Sequence, residues 1–315
     1  MPTLLDMTAS TFQVIGLATA VSAVVVRPLL EIQTDGAVPG EIATGRGGMI
    51  CNTLAVASGL GVATAGIIAC GSDSAGSHLR DIISAECVTA SFIQTAQTPV
   101  TVTLAVGATR SSIMGVAGDR ERDLTPDAVA TAWSQLESKP VWGVLTLPAL
   151  DSPAGQTFAA LVKGNGGHLA CTLSSSSHVL EHLETVDSLL AGVDLVFGNH
   201  DEVAALQRSS AQPHLLICTN GERGATAFLP GGTSTLIPVT SPVSVIDTTG
   251  AGDAFAGGVL ATLDPRDIDE HSVTKSVLAG HRAAGLIIAR LGAAPGANGM
   301  VELAHLGKEL GITRY

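Results

Sequence analysis

The sequence predicts an α/β fold in which a mostly parallel central sheet is covered by helices on both faces. The main observation is an alternation from residue 128 onward, where continuous apolar runs typical of buried strands are followed by runs with helical spacing. Composition agrees, because 46% of the 315 residues are hydrophobic and 36 are glycines, which suits a large core crossed by many strand–helix turns. This length fits one large α/β domain or two smaller ones.

The first part of the chain predicts several strands and two helices, with glycines marking the turns. We expect strands at residues 11–18, 21–32 and 62–69, and helices at residues 49–59 and 77–85. Short strands follow at residues 88–93, 100–106 and 112–116. Apolar and small polar residues alternate in 100–106, which is typical of a sheet with one exposed face. We therefore expect residues 22–45 and 97–118 to form a small sheet separate from the main one.

The second part of the chain predicts regular strand–helix units that end in a hairpin and two helices. Strands are expected at residues 141–145, 168–172, 193–197 and 215–219, with helices at residues 154–162, 177–191 and 202–206. A hairpin at 225–229 and 234–239 turns around Pro230-Gly231-Gly232. A strand-like run at 241–246 precedes a helix at 254–263, and a helix at 272–289 follows.

Charge and cysteine usage restrict the class of protein. The net charge of −12 argues against a nucleic-acid partner, which requires a basic surface. The five cysteines form no Cys-x-x-Cys pair, so we expect free thiols in a reducing compartment. The apolar run at residues 14–26 is too short to span a bilayer, and no basic residue precedes it as in a secretory signal. We expect a cytoplasmic protein that has no membrane segment.

The residues from Asp247 to Gly258, DTTGAGDAFAGG, form the most distinctive stretch of the chain. A strand, a tight glycine turn and a helix would direct backbone N–H groups of residues 250–253 at an anion. Asp253 would lie in the first helical turn, where it could accept a proton from an attacking hydroxyl. For a bare Gly-x-Gly-Asp, a simple turn with a helix-capping Asp is an equally good interpretation.

Three further motifs each have a structural and a functional interpretation. Gly47-Gly48 with Asn52 is either a glycine turn before a helix or a site for ligand hydroxyls, and the motif alone favours the turn. Asn199 and Glu202 are either a capping box or a polar site after a strand. Thr219, Gly221 and Gly224 are either an ordinary hairpin turn or part of a ligand site.

The complete set of motifs resembles the PfkB (ribokinase-like) family of carbohydrate and nucleoside kinases. The C-terminal string matches the family core D-T-x-G-A-G-D, and the upstream motifs match G-G-x-x-x-N, N-x-x-E and T-x-G-x-x-G in the same order. The resemblance extends from residue 16 to residue 296, and residues 173–179 and 193–199 look most like the adenosine-kinase-type branch. It implies a single ribokinase-like domain over residues 1–315. This fold is a three-layer sandwich with a small β lid.

The resemblance also implies a role for each motif. Asp253 would be the catalytic base, with the backbone of Gly250, Ala251 and Gly252 stabilising the transferred phosphoryl group. Gly47, Gly48 and Asn52 would bind the acceptor. ATP would contact Asn199, Thr219, Gly221, Gly224 and Gly252. Mg²⁺ would be held through water by Glu202 and Asn199, and Asp247 would border a site for a monovalent cation such as K⁺.

Two departures from the family pattern concern the acceptor. Val21 stands where the family usually has an Asp that binds substrate hydroxyls, and Thr146-Leu147-Pro148 lacks a Glu that some sugar kinases carry. Polar contacts of this kind discriminate strongly between substrates. The acceptor is therefore not a standard furanose, or another group replaces the Asp, or the acceptor site has decayed.

The sequence thus predicts a kinase that transfers the γ-phosphate of ATP to a hydroxyl of a sugar, sugar acid or nucleoside. The alternative is a non-catalytic sensor or structural subunit with the same fold. A dinucleotide oxidoreductase is excluded because no G-x-G-x-x-G follows the first strand. The exposed edges of a lid sheet favour a homodimer, since pairing buries such edges.

Overall fold

A computed structural model describes residues 10–31, 36–86, 88–106, 109–115, 124–136 and 138–312. The strands are β1 Ser10–Thr19, β2 Val21–Pro28, β3 Gly40–Gly47, β4 Thr64–Gly71, β5 Thr89–Thr95, β6 Val100–Val106, β7 Thr109–Gly115, β8 Ser138–Thr146, β9 His168–Thr172, β10 Leu195–Asn199, β11 Leu215–Thr219, β12 Ala225–Phe228 and β13 Ser234–Ile237. The helices are α1 Met49–Leu60, α2 Ser74–Ala85, α3 Pro126–Ser134, α4 Leu147–Leu150, α5 Pro153–Gly164, α6 Ser176–Glu181, α7 Val186–Leu190, α8 His200–Leu206, α9 Ala251–Thr262, α10 Glu270–Ile288 and α11 Gly296–Glu309.

Nine strands form the main sheet, in the order β13-β12-β11-β10-β9-β8-β1-β4-β5. Every neighbouring pair from β11 to β5 is parallel, and only β12 and β13 are antiparallel additions at one edge. Parallel strands need helical crossovers, so the strand–helix alternation of the sequence produces this sheet. The predicted α/β class is confirmed.

Two hydrophobic cores lie on opposite faces of the main sheet. One contains α1, α2 and α9–α11, with Leu54, Phe255 and Leu303 among its buried side chains. The other contains α3–α8, with Phe158 and Val179 among its buried side chains. Because both faces are covered, β4 is buried along its whole length. The site motifs lie where these layers meet the carboxyl ends of the strands.

Four strands form a second sheet, in the order β3-β2-β6-β7. This sheet is connected to the main one at two points. Only Ala20 separates β1 of the main sheet from β2, and β3 is followed directly by Gly48 and α1. Large apolar side chains on it are exposed, including Ile42 at 67% and Ile113 at 75%. Parts of the predicted sheet ranges, residues 32–35, 107–108 and 116–118, lie outside the described residues.

Two predicted elements are wrong. Residues 241–246 form an exposed loop rather than a strand, and Pro242 has no N–H to contribute to a ladder. The helix predicted at 177–191 is two short helices, α6 and α7. Between them the hydroxyl of Thr185 donates to the His182 carbonyl at 3.3 Å, and short polar side chains of this kind compete with helical hydrogen bonds.

The sequence patterns also missed α3 and α11. The strand predicted at 21–32 ends at Pro28, which pairs with Gly40 at the start of the antiparallel β3. The cysteines at 51, 70, 171 and 218 are buried free thiols, while Cys87 lies outside the described residues. None of the helices within the described ranges has the length and apolar character of a membrane span.

Candidate active site

The glycine turn before α9 has a backbone that only glycine adopts easily. Gly250 is the N-cap of α9 with φ of 78°, and a Cβ built on it would lie 2.5 Å from the Cβ of Ala293. A Cβ built on Gly252 would meet nothing within 4 Å, so open space lies over the first turn of the helix. Helix N-termini carry positive partial charge and N–H groups that lack helical acceptors. The Ala251 N–H is partly engaged, since it donates to the Thr248 carbonyl at 3.2 Å. The turn is suited to an anion.

Asp247 stabilises this turn through hydrogen bonds to backbone and hydroxyl groups. Its Oδ1 accepts hydrogen bonds from the N–H of Thr249 at 2.9 Å and from the Thr249 hydroxyl at 2.7 Å. Its Oδ2 accepts from the N–H of Gly292 at 2.9 Å. The side chain is buried, at 4% exposure. Asp247 therefore connects the glycine turn to the loop after α10.

The catalytic candidate Asp253 is in direct contact with the other glycine motif. The amide Nδ2 of Asn52 donates to Asp253 Oδ2 at 2.7 Å, although the two residues are 201 positions apart in the chain. Asn52 lies in the first turn of α1 and is 4% exposed. This contact brings the two ends of the predicted site together.

A buried ion pair holds Asn52, and the sequence patterns did not indicate it. Arg46 donates through Nη1 to Asn52 Oδ1 at 2.7 Å and through Nε to Glu86 Oε2 at 2.7 Å. Its Nη2 donates to Glu86 Oε1 at 3.1 Å, so the Arg46–Glu86 pair is bidentate. Both residues are buried, with exposures of 1% and 5%. Burial alone would lower the pKa of Arg46, but attraction to Glu86, Cys51 and Asp253 and the hydrogen bond to Glu86 together raise it above its usual value.

No short motif could have identified this pair, because its members are 40 residues apart and meet only in the fold. The one available signal was an Arg directly before the diglycine. Cys51, next to Asn52, is not a rival nucleophile. Burial raises the pKa of its thiol to about 12, so the thiolate is not populated near neutral pH.

The acceptor motif lies where β1 and β3 meet α1. Gly48 is the N-cap of α1 with φ of 99°, and a Cβ there would lie 2.2 Å from the Thr19 carbonyl oxygen. Gly47 pairs with Val21 across β2 and β3. A Cβ built on Gly47 would lie 3.7 Å from that of Val21, which is 7% exposed. The position of the missing family Asp is thus a buried apolar wall beside the diglycine.

The polar pair after β10 forms a complete capping box. Asn199 Oδ1 accepts from the N–H groups of Asp201 and Glu202, each at 3.0 Å, and Glu202 Oε2 accepts from the Asn199 N–H at 2.9 Å. Glu202 is 9% exposed, and burial raises its pKa. Of the two carboxylate oxygens, Oε2 is the one engaged in the capping box.

The turn after β11 lies beside this capping box, because Thr219 pairs with Asn199 at the carboxyl ends of two parallel strands. Gly221 and Gly224 both have positive φ, 58° and 98°. A Cβ on Gly224 would lie 2.2 Å from the Ile237 carbonyl oxygen. Ligands of open α/β sheets bind at the carboxyl ends of strands. The rings of Phe197 in β10 and Phe255 in α9 are 6.3 Å apart and link this region to the Asp253 helix.

A cavity beside α9 contains a further candidate that the sequence patterns missed. Its volume is about 520 Å³, and it is bordered by the loop at 239–243, by α10 and by α11. His281 of α10 lines it, with its ring 5.3 Å from that of Phe255. Both ring nitrogens of His281 are buried without a hydrogen-bond partner, and burial lowers the pKa of the ring. Such a cavity has the size of a small-molecule site.

A catalytic-type carboxylate at an anion-binding helix N-terminus, in a doubly covered parallel sheet, is the arrangement of a phosphotransferase. The model of the pfkB family of carbohydrate kinases matches residues 13–298, and the chain belongs to this family. It is accordingly a phosphotransferase that uses an alcohol group as acceptor.

Curated relatives agree with this family. The chain is 34% identical to a fructokinase of Klebsiella pneumoniae over 133 residues, which are 36% of this chain and 43% of the relative. It is 26% identical to a ribokinase of Haemophilus influenzae over 279 residues, which are 81% of this chain and 87% of the relative. The match to the fructokinase thus spans less than half of that protein.

Solved structures show the same fold. A probable sugar kinase of Rhizobium etli has a TM-score of 0.75 at 22% identity, over 96% of this chain and 99% of that one. An Escherichia coli protein described as a ribokinase II, in complex with ATP and Mg²⁺, has a TM-score of 0.72 at 18% identity over 94% and 99%. The ribokinase-like fold class is therefore confirmed, lying within a family of ATP-using kinases.

Proposed function

We propose that this protein transfers the γ-phosphate of ATP to a hydroxymethyl group of a sugar, sugar acid or nucleoside at the N-terminus of α9. The observation that carries the proposal is the hydrogen bond between Asn52 and Asp253, which joins the acceptor motif to the glycine turn. A base must be within hydrogen-bond reach of the proton that it removes, and Asn52 fixes the Asp253 carboxylate at the point where both motifs converge.

In this mechanism the acceptor oxygen attacks the γ-phosphorus and the bond from phosphorus to the β,γ-bridging oxygen breaks. Asp253 takes the hydroxyl proton, and ADP leaves with the bridging oxygen. The backbone around Gly250, Ala251 and Gly252 stabilises the negative charge on the transferred group. A fixed left-handed Gly250 supports this role, because the turn need not reorganise during the reaction.

The nucleotide would lie along the carboxyl ends of β10 and β11, in contact with Asn199, Thr219, Gly221, Gly224 and Gly252. Its base would enter the cavity that His281 lines between α10 and α11. Glu202 and Asn199 fit a magnesium ion held through water, since Oε2 is engaged in the capping box and the carboxylate is nearly buried. Mg²⁺ would neutralise charge on the phosphates.

Asp247 retains capacity for a monovalent cation such as K⁺. Its two oxygens accept three hydrogen bonds, whereas a carboxylate has about four acceptor positions. We infer that such a cation would act by stiffening the glycine turn. Activity measured in KCl and in a tetramethylammonium salt at equal ionic strength tests this role, and equal rates would refute it.

The small sheet would act as a lid over the acceptor. Hydrogen bonds connect this sheet to helix α2. Asp73, the N-cap of α2, accepts from the N–H of Thr98 at 2.9 Å and from its hydroxyl at 2.5 Å, and Thr98 lies just before β6. The sheet's exposed apolar residues Ile42 and Ile113 support pairing with a second copy of the chain. Light scattering of Ile113→Asp against wild type tests this, and a monomeric wild type would refute the homodimer.

A second candidate is a non-catalytic sensor, favoured by the apolar Val21 beside Gly47. A panel of nucleosides, ketohexoses and hexonates, assayed for acceptor-dependent ADP release, separates the two functions. We expect turnover with at least one acceptor and, in Asp253→Asn, a loss of about 10²–10⁴-fold with ATP binding retained. Full activity of Asp253→Asn would refute the assignment of the base, and binding of a panel member without turnover would favour the sensor.

A further inference from the structure

Three metal-ligating side chains converge on the face of the sheet opposite α9. Asp151 is the C-cap of α4, His178 lies in α6 and His182 is the C-cap of α6. One ligand atom from each of them lies within 4.8 Å of the other two. The histidines are four positions apart and therefore share one side of the helix. This cluster is separate from the Asn199–Glu202 pair and from Asp253.

The distances suit a small divalent cation. His182 Nε2 lies 3.4 Å from Asp151 Oδ2, and His178 Nε2 lies 4.0 Å from the same oxygen. Four ligands at Zn²⁺ bond lengths of about 2.0–2.2 Å in a tetrahedron lie about 3.3–3.6 Å from one another. One pair already has this spacing, and the other reaches it by a small rotation of side chains that are 20–33% exposed.

The tautomer of His182 leaves a lone pair directed at the cluster. Its Nδ1 lies 2.9 Å from the carbonyl oxygen of His178. A carbonyl only accepts hydrogen bonds, so Nδ1 carries the hydrogen and Nε2 of the neutral ring faces Asp151 without one. A backbone carbonyl that orients one imidazole nitrogen while the other binds metal is a common outer-shell arrangement.

His178 supplies an independent observation. Its Nε2 is buried and has no hydrogen-bond partner among the described residues. A proton shared between His182 and Asp151 would satisfy that pair, but it would leave His178 Nε2 orphaned at a cost in free energy. A cation between the three atoms would satisfy both nitrogens and the carboxylate at once.

We propose that Asp151, His178 and His182 form a metal site for Zn²⁺, which clamps α4 to α6 outside the kinase centre. The donor set of two imidazoles and one carboxylate favours Zn²⁺ or Co²⁺ over Mg²⁺, which prefers oxygen ligands. Three protein ligands leave the fourth position for water. Because α6 packs against α8, the clamp also supports the helix that carries the Asn199–Glu202 capping box.

The test is metal binding to the nucleotide-free chain after EDTA treatment and removal of the chelator. Co²⁺ is titrated by its visible absorption and Zn²⁺ by competition with a chromophoric chelator, both in excess Mg²⁺. We expect one ion per chain in wild type, with binding weakened at least ~10-fold in His178→Ala and in His182→Gln. His214→Ala, which removes an exposed histidine outside the cluster, is the matched control and should bind as wild type does.

Stability gives a second measurement if a variant folds poorly. Bound Zn²⁺ should raise the melting temperature of wild type and of His214→Ala but not that of Asp151→Asn or His182→Gln. Asp253→Asn should keep the metal site, since the site does not depend on the kinase chemistry. Absence of stoichiometric binding in wild type, or equal affinity in wild type and His182→Gln, would overturn the proposal.

Discussion

The buried Arg46–Glu86 pair offers the sharpest test of how the active site is held. Arg46→Met removes the charged donor from Asn52 Oδ1 and leaves the Glu86 carboxylate unpaired at 5% exposure. Breaking a buried ion pair from one side costs about 3–5 kcal/mol of unfolding free energy. Loss of a charge-assisted hydrogen bond is worth about 1.5–3 kcal/mol. If Asn52 and Asp253 are misoriented as a result and this energy is added to the activation barrier, kcat falls about 10- to 100-fold.

The double variant Arg46→Met with Glu86→Leu separates positioning from stability. Replacing both members of a buried pair by apolar residues is often neutral for stability or favourable. Unfolding free energy, measured by urea denaturation, should therefore recover most of the loss. The value of kcat should remain low, since the double variant still has no donor to Asn52.

A matched surface control is Arg266→Met. Arg266 forms an ion pair with Asp264, but its side chain is 80% exposed. Exposed pairs contribute about 0–1 kcal/mol, so both stability and kcat should stay close to wild type. Recovery of kcat together with stability in the double variant would refute the positioning role and leave Arg46 as a purely structural residue.

Three further perturbations address the turn, the cavity and the magnesium site. Gly250→Ala should lower the unfolding free energy by about 1–3 kcal/mol and remove most of the activity, because its Cβ would lie 2.5 Å from that of Ala293. Gly192→Ala, whose Cβ would lie in open space, should leave both stability and activity unchanged. Burial lowers the pKa of His281 in the folded chain, so the unfolded chain binds a proton at this residue more readily. The folded state therefore has its full stability above a pH of about 6.5, where the ring is neutral in both states. It loses stability as the pH falls from there through the folded pKa. Melting temperatures from pH 8 to 5 should fall less steeply for His281→Leu than for wild type, and parallel curves would contradict this assignment. Glu202→Gln should keep the capping box and therefore the melting temperature. It should raise the Mg²⁺ concentration required for half-maximal rate about 10-fold or more. An unchanged Mg²⁺ requirement would exclude Glu202 from the magnesium site.

Features that depend on local backbone conformation were predictable from the sequence. Gly48 and Gly250 both adopt positive φ and would both bring a Cβ into close contact, so the two turns require glycine and are visible in the sequence. The parallel sheet was also predictable, because strands that are buried on both faces consist of continuous runs of apolar residues.

Features that depend on neighbours distant in sequence were not predictable. The run at 241–246 has strand-like residues, but strand formation needs a partner, and this run pairs with no strand of the two described sheets. Arg46 and Glu86 carry no motif, and only the fold brings them to Asn52. The cavity at His281 likewise depends on the packing of α10 against α11, a helix that the sequence patterns missed.

The polar side chains of the proposed acceptor site are concentrated around Asp253, which bears on substrate choice. Asn52 uses its oxygen for Arg46 and one amide hydrogen for Asp253, so one amide hydrogen remains for an acceptor. Next to it, Val21 presents an apolar wall where the family usually places a carboxylate, and Gly47 offers only backbone. A site loses most discrimination when it has few buried polar groups that a wrong substrate would leave unpaired. We infer that the polar groups around Asp253 are strictly arranged, while recognition of the rest of the acceptor is permissive.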